Sequence, residues 1–367
     1  MFLAGRFDRP LFIALLALTG FGLVMVYSTS GVPAAEKFND SFHYLAGQAV
    51  GAAAGLAALF FFISFRRPFY QGAAFVHGLF ALSVVLLALC FVMPEHAHTN
   101  RWIEFGVLRF QPSELAKISL VLLLAFWLER RKERRDVKTF LLLLPAVVLV
   151  MILILLEPDY GTALFIFFLA MAVFFLGGVK LRAFGLIVVP AALLFAAFLV
   201  RAEYRLDRLE ALLYPERDPL GKSFQVIQSK MALGSGGVLG VSPGESVQKL
   251  YFLPSAHTDF IFAIIGEELG LVGTIGTLLT FLLLLWRGLR IARRAPDLFC
   301  QLAAAGITIS LTAQALLNMT IVLGLGPTKG LPLPFISFGR SSLVCSLLAG
   351  GILLHISERR AAAGGRS

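Results

Sequence analysis

Ten long apolar runs are the feature of this sequence that most restricts its fold. A run of about 17–25 apolar residues can cross the hydrocarbon of a bilayer as a helix. The predicted spans are Leu11–Tyr27, Tyr44–Phe65, Gly72–Met93, Ser113–Leu128, Thr139–Leu156, Tyr160–Leu176, Leu181–Val200, Asp259–Trp286, Leu298–Leu325 and Phe335–His355. Because 58% of the residues are hydrophobic and only 15% are charged, we expect an all-α integral membrane protein.

The distribution of lysine and arginine predicts the orientation of the chain. With the N-terminus inside, the basic runs Arg130–Lys138 and Arg287–Arg294 both face the cytoplasm, and the short outer loops hold few cations. Both termini are then cytoplasmic. The net charge of +10 is explained by this topology, so no nucleic-acid partner is needed.

The expected architecture is one polytopic membrane domain over residues 1–367 with ten transmembrane helices. A large extracytoplasmic loop, about residues 201–258, joins helices 7 and 8, and residues 357–367 form a loose cytoplasmic tail. Within the loop, Arg201–Tyr214 is predicted to be a helix on the membrane surface. A second short helix is predicted at about Ser223–Leu233, ended by Gly234.

Three acids lie at or within the eighth span, where an ionisable group costs about 2.5–3.5 kcal/mol. Asp259 is predicted to lie near the outer face, and Glu267 and Glu268 about 12–14 Å deeper. Helical rotation turns the two glutamates to different faces, so both cannot face one cavity beside Asp259. At least one of them is expected to form a supporting pair. For Asp259, a general base, a metal ligand and a charge at the helix N-terminus remain open.

A second set of charges lies in the fourth span and at two outer turns. Glu114 and Lys117 are three residues apart and are predicted to form an ion pair, with an anionic ligand for Lys117 as the alternative. Asp159 follows Pro158 at a tight outer turn.

Several cations are expected to reach an outer vestibule beside Asp259, which suits a phosphate or diphosphate substrate. These candidates are Arg101, Arg109, Lys329 and Arg340, with His257 as a further contact and Ser341 and Ser342 in support. The sequence has no His-Glu-x-x-His spacing and no glycine motif for a nucleotide.

Several motifs together resemble the SEDS (shape, elongation, division, sporulation) family over most of the chain and in the same order. They are Gln111–Lys117, Glu157–Thr162, Gly234–Gly237, Glu245–Leu250, Leu253–Phe262, Gly266–Gly270 and Pro327–Phe335. The blocks at Ser246–Lys249 and Pro327–Gly330 resemble the division-type members most. Ser255 stands where the family usually has an acid, and Phe338 and Arg340 replace its usual Tyr and Gly.

The resemblance implies a ten-span glycosyltransferase of the bacterial cytoplasmic membrane that polymerises lipid II into peptidoglycan strands. It also implies that the partners are a class B penicillin-binding protein (the transpeptidase), other divisome proteins, lipid II, nascent glycan and membrane lipid. Asp259 matches the family's essential aspartate. No organic cofactor is expected.

The chemistry of the residues agrees with this implied reaction. A diphosphate-linked sugar already has a good leaving group, so one base and cations suffice, whereas glycosidases usually need two carboxylates. Our hypothesis is that Asp259 deprotonates the 4-hydroxyl of an acceptor sugar, which attacks the anomeric carbon with inversion. A divalent ion (Mg²⁺ or Mn²⁺) bound by Asp259 and the diphosphate is an alternative role for this residue.

Three other functions compete with division-type polymerisation. A lipid II flippase would suit ten spans with charges inside the membrane, although no inverted repeat is evident. A scaffold that only holds the transpeptidase would not need Asp259. An elongation-type polymerase would share the chemistry and differ in its cellular role.

Overall fold

The computed structural model describes residues 7–65, 68–93, 101–105, 108–131, 137–180, 182–185, 223–250, 252–326 and 330–364, and the isolated residues 214, 217, 218 and 221. Its helices are α1 (Arg9–Phe38), α2 (His43–Ser64), α3 (Ala73–Leu89), α4 (Pro112–Arg130), α5 (Val137–Leu156), α6 (Tyr160–Leu176), α7 (Phe224–Ser235), α8 (Ile261–Arg293), α9 (Leu298–Val322) and α10 (Arg340–Gly364). A small antiparallel hairpin pairs β1 (Ile103–Phe105) with β2 (Leu108–Phe110).

The chain is an all-α, multi-pass membrane protein. Within the described ranges, seven helices are long and apolar enough to cross a membrane: α1, α2, α3, α5, α8, α9 and α10. The predicted fourth and sixth spans correspond to α4 and to the shorter α6. The predicted seventh span, Leu181–Val200, and the surface helix Arg201–Tyr214 lie almost wholly outside the described residues, so the count of ten stays a prediction.

The centre of the bundle is built from α4, α9 and α10. In the apolar windows of α9 and α10, 72% and 83% of the residues are buried, against 44% or less in the other candidate spans. Helix α2 packs closely on α10 because Gly47, Gly51 and Gly55 follow one face of α2. At Gly55, an added Cβ would lie 2.6 Å from Leu347 of α10. Small residues at four-residue spacing let two membrane helices approach in this way.

Two local predictions were wrong, and one small element was not predicted. Helix α1 ends at Phe38 and not at Tyr27. At its start, the side chain of Asp8 accepts a hydrogen bond from the amide of Leu11. Helix α7 continues through Gly234 and ends at Ser235. The hairpin β1–β2 was not predicted, because its strands have three residues each and carry no alternating pattern long enough to recognise.

Helix α8 is broken about 14 Å from its start, at Gly270. Gly270 has φ 62° and ψ −157°, a backbone conformation that suits glycine. Residues 237–242, which follow α7, fill the break: the amides of Val241 and Ser242 donate to the carbonyls of Glu267 and Glu268. The amides of Leu271 and Val272 donate in return to residues 237 and 238. Non-helical backbone is tolerated at membrane depth only when its polar groups are satisfied within the protein, as they are here.

We expect Gly240→Ala to destabilise the protein by about 2 kcal/mol or more. Gly240 has φ 82°, and an added Cβ would lie 2.1 Å from the Glu268 carbonyl oxygen. Gly234→Ala is the matched control, because no atom lies within 4 Å of its added Cβ and alanine favours the helix. Thermal unfolding in detergent measures both variants. Equal melting temperatures would contradict the packing of this loop on α8.

Candidate active site

Asp259 lies in a turn, residues 254–260, whose backbone is fixed from two sides. Three consecutive carbonyl oxygens of this turn each accept a hydrogen bond. The Phe338 amide donates to His257 at 2.9 Å, the Ser337 hydroxyl to Thr258 at 2.6 Å, and the Asn318 side-chain amide to Asp259 at 2.7 Å. The turn is therefore held by α9 and by residues 331–339, which lead into α10.

The carboxylate of Asp259 is partly buried and faces Gly330 and Arg101. A Cβ on Gly330 would lie 3.5 Å from Asp259 Oδ2 and 4.0 Å from Arg101 Nη1, so both groups border the same small space. Burial raises the pKa of Asp259 from 3.8 to about 6; the Arg101 charge lowers this pKa, and the Asp159 charge raises it further. Asp259 therefore has the pKa of a base that works near neutral pH.

Arg101 is held by the turn between α5 and α6. Its Nη2 donates to the Pro158 carbonyl at 2.7 Å, and its Nη1 lies 3.8 Å from Asp159 Oδ2. Asp159 itself caps α6, accepting from the amide of Thr162 at 3.1 Å and from its hydroxyl at 2.9 Å. The tight turn predicted at Pro158 is thus confirmed, and it places one guanidinium beside Asp259.

Glu157, a buried acid at the same turn, was not among the predicted site residues. Burial raises its pKa from 4.5 to about 8, and the Asp159 charge adds to this, whereas Arg101 and Cys90 lower it. Its Oε1 is buried without a hydrogen-bond partner among the described residues. With this pKa the side chain is mostly neutral at pH 7, so Glu157 adds little negative charge beside Arg101.

Glu114 and Lys117 form the predicted ion pair, deep in the bundle. Lys117 Nζ lies 2.9 Å from Glu114 Oε1 and donates to Gln314 Oε1 of α9 at 2.5 Å. Ser342 of α10 donates to the other oxygen of Glu114 at 3.2 Å, and the side-chain amide of Gln314 donates to the Pro332 carbonyl at 2.9 Å. This network ties α4, α9 and α10 to the segment that fixes the Asp259 turn. Ser341, the residue before Ser342, accepts a hydrogen bond from the amide of Gln111 at the start of α4.

Glu267 and Glu268 are both buried and both paired, and none of their described contacts is with Asp259. Glu267 accepts from the Ser246 hydroxyl at 2.5 Å and from the Val247 amide at 3.0 Å. Glu268 pairs with Lys249 at 2.7 Å. The predicted supporting role thus extends to both acids, whose side chains bind residues 246–249 to α8.

The other predicted substrate contacts lie in different surroundings. Arg109 of β2 pairs with Glu104 at 2.9 Å and stacks on Trp102. Arg340 lies against Gly47 of α2, where an added Cβ would be 2.6 Å from its guanidinium nitrogens. Neither has a described contact with Asp259, and Lys329 lies outside the described residues. Of the four predicted cations, Arg101 is the one that the described structure places beside Asp259.

His257 belongs to a group of three aromatic rings beside the Asp259 turn. Its ring centroid lies 4.9 Å from that of Tyr44 and 5.8 Å from that of Phe338. Burial lowers the pKa of His257 from its ordinary value of 6.5, which disfavours the charged form of the ring. The described rings nearest to His257 are those of Tyr44 and Phe338.

An apolar cleft of about 540 Å³ lies between α6 and α9. It runs from Phe168 and Ile309 toward Gly161 and Leu331. Gly161 is two residues beyond Asp159, and Leu331 directly follows Gly330, so one end of the cleft adjoins the Asp259 site. The cleft was not predicted from sequence.

The chain matches one family model over almost its whole length. Residues 9–362 match the model for the cell cycle proteins FtsW, RodA and SpoVE. The chain belongs to this FtsW/RodA/SpoVE family.

Members of the FtsW/RodA/SpoVE family align with the chain from end to end. A protein of Geobacter metallireducens named probable peptidoglycan glycosyltransferase FtsW is 42% identical, covering 96% of this chain and 95% of its own. Stage V sporulation protein E of Bacillus subtilis is 37% identical, covering 96% and 97%.

Solved structures of the family share the fold as well. A chain from a peptidoglycan synthase complex, described as coordinating polymerization and crosslinking, superposes with a TM-score of 0.80 at 32% identity, covering 96% and 98% of the two chains. The rod shape determining protein RodA of Thermus thermophilus gives 0.71 at 30% identity, covering 96% and 97%.

The described residues of this FtsW/RodA/SpoVE family member do not by themselves form a metal site. No three His, Cys, Asp or Glu side chains in the described ranges converge closely enough to hold an ion. Asp159 already accepts two hydrogen bonds from Thr162 as a helix cap. The alternative role of Asp259 as a ligand of Mg²⁺ or Mn²⁺ stays a prediction.

Proposed function

We propose that this protein is a peptidoglycan glycosyltransferase that polymerises lipid II during cell division. The observation that carries the proposal is a single carboxylate, Asp259, held on a fixed turn beside Arg101 at the head of an apolar cleft. Its family membership and its likeness to proteins named probable peptidoglycan glycosyltransferase FtsW support the same activity.

In the proposed mechanism Asp259 is the general base. Its carboxylate takes the proton from the 4-hydroxyl of the acceptor sugar, and that oxygen attacks the anomeric carbon of the diphosphate-linked sugar with inversion. The bond from this carbon to the diphosphate oxygen breaks, and the lipid diphosphate leaves with the electron pair. Arg101, whose guanidinium borders the same space as Asp259, stabilises the departing charge.

The cleft between α6 and α9 suits the lipid part of such a substrate. Its lining is almost entirely apolar and includes Leu331, which directly follows Gly330, the residue that faces Arg101 and Asp259. A lipid chain in this cleft would place its diphosphate at Arg101, because the polar head follows directly after the chain. Binding energy from the tail would then align the reacting sugar.

The proposed setting is the bacterial cytoplasmic membrane, with both termini in the cytoplasm and Asp259 at the outer face. The lysine and arginine bias of the loops supports this orientation. A class B penicillin-binding protein is the proposed partner, since a related chain comes from a complex that couples polymerization and crosslinking.

Proteoliposomes containing lipid II test the proposal against a flippase. The purified protein, assayed with and without the transpeptidase and with Mg²⁺ or Mn²⁺, is expected to produce glycan strands visible on a gel. Translocation of labelled lipid II without any glycan, under every one of these conditions, would contradict a polymerase and favour the flippase.

The pH dependence of the rate tests the role of Asp259. A base must be deprotonated, and burial raises the pKa of Asp259 to about 6, so kcat/KM should fall as the pH falls through about 6. Arg101→Gln should move this midpoint upward, because the Arg101 charge lowers the pKa of Asp259. Initial rates between about pH 4 and about pH 8 measure the midpoint. A midpoint near the ordinary carboxylic value of 3.8 would contradict this environment.

A further inference from the structure

Asn318 of α9 contacts the backbone of Asp259 through its side chain. It is 1% exposed, and its Nδ2 donates to the Asp259 carbonyl at 2.7 Å and to the Leu331 carbonyl at 2.8 Å. Its Oδ1 is buried without a partner among the described residues. All of its described hydrogen bonding therefore goes to these two carbonyls.

The two carbonyls belong to the two segments that face each other across the site. Leu331 directly follows Gly330, where an added Cβ would lie 3.5 Å from Asp259 Oδ2. By holding both carbonyls with one nitrogen, Asn318 fixes the distance between the turn that carries the base and the segment opposite it. Other polar residues would not fit this position equally well. Serine is shorter than asparagine and has one hydroxyl donor, and glutamine is longer by one methylene.

Gln314 repeats this arrangement one turn earlier on α9. Its Nε2 donates to the Pro332 carbonyl at 2.9 Å, the residue after Leu331. Two amide side chains four residues apart thus hold two consecutive carbonyls, but Asn318 alone of the two reaches Asp259. Gln314 therefore holds only the segment opposite Asp259, whereas Asn318 holds both that segment and the turn that carries Asp259.

We propose that Asn318 is a positioning residue for the glycosyl transfer, which sets the Asp259 carboxylate against the acceptor hydroxyl. This inference rests on the proposed function. Without Asn318 the turn keeps its hydrogen bonds at His257 and Thr258, but the backbone of Asp259 itself is no longer tied to Leu331. A displacement of about 1 Å at a reacting group costs about 10²-fold in rate. The substrate itself is held elsewhere, by Arg101 and the apolar cleft.

The first test is lipid II polymerisation by purified Asn318→Ala protein. We expect kcat to fall about 10²-fold while KM for lipid II changes by less than about 2-fold, because Asn318 acts on the base and not on binding. Thr312→Val is the matched control: Thr312 is a buried polar residue on α9, and its hydroxyl donates to the Thr308 carbonyl of the same helix. This control should keep its kcat. A wild-type kcat for Asn318→Ala, or a loss confined to KM, would overturn the proposal.

A second test separates positioning from general stability. In an Asp259→Glu background the carboxylate is already displaced by one methylene, so Asn318→Ala should cost much less than in the wild type. The same full loss in both backgrounds would indicate a purely structural residue and overturn the proposal. Full activity of Asp259→Asn would instead remove the proposed base, and that result is distinct from either outcome at Asn318.

Discussion

Asp259→Asn should reduce lipid II polymerisation by about 10³- to 10⁴-fold, the upper part of the range for a general base. Asparagine has nearly the same size and leaves the backbone carbonyl of residue 259 free to accept from Asn318, so the turn should remain in place. What it loses is the ability to take a proton. A purified-protein polymerisation assay measures the effect, with KM determined separately from kcat.

The control for this variant is an acid that lies outside the site. Glu245→Gln removes an exposed carboxylate from the loop after α7 and should leave the rate unchanged. Binding of the proposed transpeptidase partner should also survive Asp259→Asn, because the change is confined to one side chain. If Asp259→Asn polymerised lipid II at the wild-type rate, the proposed mechanism would be wrong. If it supported cell division without polymerising, a scaffold would be favoured.

The sequence predicted the features that depend on local or strongly charged patterns. Apolar runs located nine of the ten expected spans as described helices, because each helix must cover its own length of hydrocarbon. Glu114 and Lys117 could be paired from a three-residue spacing alone. Asp259 was selected because a charge beside a membrane span is costly and therefore conspicuous.

The sequence could not predict contacts made by uncharged groups across long separations. Asn318 and Gln314 carry no charge, and Asn318 bonds to a carbonyl 59 residues earlier in the chain. Lys117 meets Gln314 across 197 residues. The break at Gly270 was missed because hydropathy continues through it, and only the pairing with residues 237–242 makes it stable. The one signal that the sequence offered for these contacts was a glycine or an amide side chain inside an apolar span.

Lys117→Met should destabilise the protein by about 3–5 kcal/mol, the largest stability effect that we expect. Lys117 and Glu114 are 3% and 5% exposed, so the substitution leaves a carboxylate buried with Ser342 as its remaining described side-chain donor. Thermal or denaturant-induced unfolding in detergent measures the loss. The double variant Glu114→Gln/Lys117→Met should recover most of it, because replacing both members of a buried pair is often nearly neutral.

The activity of this double variant decides between the two roles considered for Lys117. Its ammonium group already contacts Glu114 and Gln314 and lies 5.6 Å from the Phe165 ring, which favours a structural ion pair. On that reading, recovery of stability should bring recovery of kcat/KM, since Gln314 still holds the Pro332 carbonyl opposite the Asp259 turn. A stable double variant with an unchanged kcat and a strongly raised KM for lipid II would contradict it, because only loss of a substrate contact weakens binding without loosening the fold.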